Sequence, residues 1–110
     1  MITISIKDEY AEVLTALGDL QTACDLALMR YAIEQITAKI AELRARDGKY
    51  QVKYGMNYSS FVKCISEDEK FISQLEEKIE KTWEIDLADW EFCHQGIKDW
   101  KEQLQNILQV

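Results

Sequence analysis

Apolar residues recur at intervals of three and four through the second half of the chain. They fall at Ile72, Leu75, Ile79, Trp83, Leu87, Trp90, Cys93, Ile97, Trp100, Leu104 and Ile107. That is the period of one helix face, and the chain holds no proline to interrupt it. Ser66-Glu67-Asp68-Glu69 stands in front of the run. A serine with glutamate three residues on is the pattern of a capping box, and acids in a first turn suit the positive end of the helix dipole. The spacing predicts one helix over 66–108, about 60 Å long at 1.5 Å per residue. Its apolar stripe carries all three tryptophans and needs a partner to bury it.

Upstream the pattern changes period. Ile2, Ile4 and Ile6 alternate with Thr3 and Ser5, which reads as a short extended segment. A lone strand is not stable, so it must pair with its copy in a dimer, pair with another protein, or serve as a frayed lead-in to a helix. Asp8 is placed to cap a helix starting near Glu9, and Gly18-Asp19 to break or kink it, with Asp19 as a fresh cap. A long helix follows, to Arg46 or as far as Tyr54. It carries two apolar stripes: Val13, Leu17, Leu20, Cys24, Ala27 and Tyr31, then Leu26, Met29, Ile33, Ile36, Ile40 and Leu43. A helix apolar on two sides is sandwiched. One face takes the tryptophan-bearing helix; the other needs a dimer mate or a different protein, unless the stripe shifts at a kink near Gly18.

The chain turns over 54–66. Gly55 is the residue past the helix end, where positive φ is needed, and Met56 folds back on the last turn. Asn57 or Ser59 starts a short helix over 60–65 with Phe61, Val62 and Ile65 inward. The fold expected is all-α: one domain over 1–110, a long antiparallel helical hairpin with a short corner helix and a short N-terminal extended segment.

Composition narrows the function. The 110 residues are 47% hydrophobic and 30% charged, with 20 acids against 13 lysines and arginines, a net charge of −7. Nucleic acid is a polyanion that calls for a basic patch, so the balance favours a basic protein as partner. The basic stretch Arg44, Arg46, Lys49 and Lys53 interleaves with Tyr50, Tyr54 and Tyr58. Such a pattern can stack single-stranded nucleic acid. Against that charge, direct nucleic-acid binding is not expected, and cations at a helix C-terminus beside one packed tyrosine edge is the better account. With no apolar run of eighteen residues and no leader or lipidation motif, a cytoplasmic protein without membrane contact is expected. Cys24, Cys64 and Cys93 are odd in number and widely spaced, which suits reduced, buried thiols rather than disulfides or a zinc site.

Little in the chain suggests catalysis. Glu91 and His94 make an E-x-x-H pair, half of a carboxylate-bridged di-metal site. A homodimer could supply two copies, with Glu34 or Asp25 completing the set, but the further ligands are missing and a solvated or hydrogen-bonded histidine is the better account. There is no nucleophile–base pair and no glycine-rich phosphate loop. No cofactor and no enzymatic activity are expected. Glu67, Asp68, Glu69, Glu76, Glu77 and Glu80 form an acidic helix face, while Glu84, Asp86, Asp89 and Glu91 surround Trp83 and Trp90. Aromatics among carboxylates suit an interface with anchors and complementary charge, and equally a core edge with a wet rim.

Two phrases carry a resemblance. Lys53-Tyr54-Gly55-Met56, followed by Asn57-Tyr58-Ser59-Ser60-Phe61, resembles a K-Y-G-M-(x)3-4-F corner, and Asp86-Leu87-Ala88-Asp89-Trp90-Glu91 resembles the D-L-x-x-W-E segment after it. Together they are similar to small helical antitoxins of bacterial, especially cyanobacterial, and archaeal toxin–antitoxin pairs, over about residues 20–108. The resemblance implies a protein that neutralises a cognate basic toxin, often a ribonuclease. Tyr54, Gly55, Met56 and Phe61 would be structural; Trp83, Asp86, Asp89, Trp90 and Glu91 would be the partner-binding residues. No helix-turn-helix motif is present for promoter binding. A homodimer is expected. A homo-oligomeric scaffold or adaptor is the second reading, and a dimeric di-metal carboxylate protein using Glu91 and His94 the third.

Overall fold

The computed structural model describes residues 1–109. Among these the chain forms five α-helices and no strand: α1 (Asp8–Leu17), α2 (Leu20–Tyr54), α3 (Tyr58–Glu67), α4 (Glu69–Lys78) and α5 (Trp83–Leu108). The fold is all-α, with the part of α2 after Gln35 and α5 as the arms of an antiparallel hairpin and α3 and α4 at its corner. No described helix is long and apolar enough to cross a membrane.

Local chemistry sets most boundaries. Asp8 is not a cap but the first helical residue of α1; Lys7 stands before it in extended backbone with no side-chain cap. Asp8 and Glu9 then occupy the first turn, where their charge suits the dipole. Gly18 ends α1, its N–H donating to the Leu14 carbonyl at 3.1 Å. Asp19 does cap α2, accepting from the Thr22 N–H at 3.0 Å and the Thr22 hydroxyl at 2.9 Å. Helix α2 runs on past Arg46 to Gly55, whose φ of +71° lies in the left-handed region that favours glycine. Asn57 caps α3 by accepting from the Ser60 N–H at 2.9 Å. Residues 1–6 are exposed and take neither strand nor helix.

The helix expected over 66–108 divides in two, and its cap shifts. Ser66 still belongs to α3, its hydroxyl donating to the Val62 carbonyl at 2.8 Å. The chain turns extended at Asp68 (φ −134°, ψ 102°), and that carboxylate caps α4, accepting from the Lys70 and Phe71 N–H groups. A carboxylate is the stronger acceptor at the positive end of a helix. Helix α4 then stops at Lys78. The N–H groups of Ile79 and Glu80 both donate to the Leu75 carbonyl at 3.0 Å, and α5 restarts at Trp83. No proline or glycine marks this break, and the three-and-four spacing of apolar residues continues through it.

Two compact units divide the chain at 35/36, inside α2. In Ile36–Val110 the core is Tyr54, Phe61, Leu75, Trp83 and Trp90, edged by Tyr50, Met56, Tyr58, Ile65, Phe71, Ile72 and Leu87. Ile36, Ile40, Leu43 and Cys93 are buried along the hairpin. The arms meet closely at Gly96, where a Cβ would lie 2.8 Å from a methyl of Leu43. Contacts then run antiparallel, Asp47 to Trp90, Tyr50 to Asp89 and Tyr54 to Asp86. In Met1–Gln35 no residue is buried; Ala11, Leu14, Ala23, Cys24, Ala32 and Ile33 are half-buried and the rest open.

Candidate functional site

The first half of α5 holds the residues singled out from sequence, and the fold uses most of them internally. Trp90 has no exposed surface. Its ring stacks on Tyr54 at 5.7 Å and meets Tyr50, Tyr58 and Phe61 at 5.7, 5.8 and 5.2 Å. Its indole N–H donates to Asp47 at 2.7 Å, so the one polar atom of a buried ring is satisfied. Trp83 is buried edge-on to Phe61, with its N–H on Glu76 at 3.2 Å.

Asp86 and Asp89 face α2. Asp86 accepts from the Tyr54 hydroxyl and the Lys53 ammonium, both at 2.6 Å. Asp89 accepts from the Tyr50 hydroxyl at 2.6 Å and pairs with the Arg46 guanidinium. The tyrosine spacing of four thus matches the carboxylate spacing of three across the helix pair. Lys53 also reaches Glu80 at 3.1 Å, in the break between α4 and α5.

These contacts shift the ionisation of their members. The Asp89 hydrogen bond, with burial added, pushes the Tyr50 phenol up to about 12. Burial first, then the Asp86 hydrogen bond, raises Tyr54 further. The Tyr50 hydrogen bond and Arg46 hold Asp89 below the usual carboxylate range. For Asp86, burial pushes upward, but the bonds from Lys53 and Tyr54 outweigh it and the carboxyl lies low. Both aspartates are therefore ionised at neutral pH, and both tyrosines are protonated donors.

Glu91 is the sequence-derived contact residue that the chain leaves open. It is exposed, and neither it nor Glu84 has an ion-pair partner among the described residues. Beside them stand two residues that the sequence reading passed over, Ile85 and Phe92, exposed at 70% and 62%. Both lie off the main stripe, each two positions after one of its tryptophans, which is the signal that could have found them. The Arg46 guanidinium lies 5.6 Å from the Phe92 ring centre. A shallow groove runs along this side of α5, lined by Ala88, Glu91, Phe92, Gln95, Gly96 and Asp99.

His94 stacks on Tyr58 at 4.5 Å, 22° from parallel. No group of three or more metal-ligating side chains occurs among the described residues, and Glu91 and His94 gather no further ligand. A second shallow groove, lined by Arg44, Asp47, His94, Ile97, Lys98 and Lys101, is open and mixed in charge. The thiols are all free; Cys93 is buried, which pushes its pKa up, while Cys24 and Cys64 are half-buried. Compared with protein families, with curated proteins and with solved structures, the chain matches none.

Proposed function

We propose that this chain acts by association, as an antitoxin-like protein that neutralises a basic protein toxin through an acidic helical surface. The observation that carries this is the outward face of α5, where Ile85 and Phe92 stand exposed beside the unpaired carboxylates Glu84 and Glu91. Apolar anchors beside uncompensated charge suit a partner with the opposite potential, since charge steers the encounter and the desolvated side chains hold it. The net charge of −7 agrees in sign.

Trp83, Trp90, Asp86 and Asp89 serve this reading from inside. They fix α5 against α2, so the outward residues need little ordering on binding. Of the residues named by the resemblance, Glu91 is the exposed one, and in this reading it touches the partner together with Glu84, Ile85 and Phe92.

Co-expression with the reading frame next to this one on its genome tests the proposal. The neighbour alone should arrest growth, and this chain should restore growth and co-purify with it. Glu84→Lys with Glu91→Lys should leave the helical circular dichroism unchanged and weaken the complex at least tenfold. A harmless neighbour that does not co-purify would end this reading.

A further inference from the structure

Building on the toxin–antitoxin reading, we infer that Met1–Gln35 is a second docking element for the same basic protein, whose apolar groove, rimmed by lysine or arginine, receives the bare faces of α1 and the start of α2.

These residues hold exposed apolar side chains in helical register beside a few half-buried ones, and none of them is buried. On α1, Tyr10, Val13 and Leu17 fall at i, i+3 and i+7, exposed at 60%, 60% and 77%. On α2, Leu20, Ala27 and Tyr31 form a stripe of their own around the half-buried Cys24, with Tyr31 exposed at 64%. Scattered exposed apolar residues need no explanation, but a continuous helical row marks an interaction surface.

Charge selects the occupant. Residues 1–35 contain Asp8, Glu9, Glu12, Asp19, Asp25 and Glu34 against Lys7 and Arg30, a net of −4 and more than half of the chain's −7. None of the eight takes part in an ion pair among the described residues. A second copy would bring six more acids and two cations to the same contact, and like charges across an interface oppose it. Nucleic acid and anionic lipid are repelled for the same reason. A protein that offers cations around an apolar groove satisfies both parts of the surface.

The test uses the full chain and the purified product of the adjacent reading frame. One variant removes apolar contact, Leu17→Ser with Tyr31→Ser; the other reverses charge, Glu9→Lys with Glu12→Lys. All four positions are exposed, so melting curves should match the parent. Titration calorimetry should show at least a tenfold weaker complex for each pair, and the parent's affinity should fall as salt rises from 50 to 500 mM. Parent binding with both variants unchanged in affinity would overturn the inference and leave the toxin–antitoxin reading in place. So would a parent dimer that Leu17→Ser with Tyr31→Ser dissociates without loss of partner affinity, since the face would then belong to a second copy. A parent that fails to bind the neighbour overturns the reading itself, and the inference with it.

Discussion

Asp86 and Asp89 occupy a sequence pattern that reads as an acidic surface, yet their carboxylates are acceptors for Tyr54 and Tyr50. Arg46, Tyr50, Lys53 and Tyr54 of α2 and Asp86 and Asp89 of α5 are thereby tied into one strip. Charge reversal at Asp86 or Asp89 should lower stability, because it places a cation against Lys53 or Arg46 and strands a phenol. Asparagine at either position should be milder, and urea melts would rank the pair. The strip also sets a pH profile. The aspartate pKa values lie below their ordinary 3.8, so their contribution is present above that pH and fades as pH falls below it. Tyr50 and Tyr54 lie above their ordinary 10.0, so their contribution holds below pH 10 and fades as pH rises through about 12. Stability should therefore be flat between about pH 5 and 9, and Tyr50→Phe with Tyr54→Phe should flatten the alkaline limb. Trp90→Ala should cost about 3–5 kcal/mol in a denaturant melt, because the ring is wholly enclosed and Asp47 loses the indole N–H.

Three glycines make opposite demands on the helices that hold them. Gly48 sits inside α2 with nothing within 4 Å of a built Cβ, so Gly48→Ala should stabilise by about 0.5–1 kcal/mol. Gly55 has positive φ, and Gly55→Ala should cost about 1–2 kcal/mol. Gly96 faces a methyl of Leu43 at the closest approach of α2 and α5. Gly96→Leu should cost about 1–3 kcal/mol by forcing the arms apart. Thermal melts of the three variants would give the order 48, 55, 96 or overturn this account of the hairpin. The sequence showed these helices unevenly. The cap at Asp19 and the turn at Gly55 were legible, and the start of α3 was narrowed to Asn57 or Ser59, because each depends on a few neighbouring atoms. The break between Lys78 and Trp83 was not, because Ile79 keeps the three-and-four spacing and no breaker residue stands there.

The two units differ in what they bury, and their stabilities should differ accordingly. Every buried residue lies in Ile36–Val110. Amide exchange should be slow around Tyr54, Phe61 and Trp90 and much faster through residues 1–35, since local opening follows the density of buried contacts. Addition of the proposed basic partner should slow exchange in α1 and the first turns of α2; protection confined to α5 would count against the proposed N-terminal docking element. The candidate surface was partly legible. Sequence located the segment around Trp90, but aromatic and acidic residues in alternation cannot say which of them point inward.

The sequence by itself determined the helical class, the corner at Gly55 and the charge of −7, because period, backbone permissiveness and formal charge are properties of neighbouring residues or of their sum. Tertiary structure decided which carboxylates are structural and which are free. Asp86 and Asp89 point at tyrosines 32 and 39 positions away, while Glu84 and Glu91, of the same chemistry and in the same helix, point at none. That difference arises only when α2 and α5 are brought side by side, which fixes one face of α5 against its own chain and leaves the other exposed.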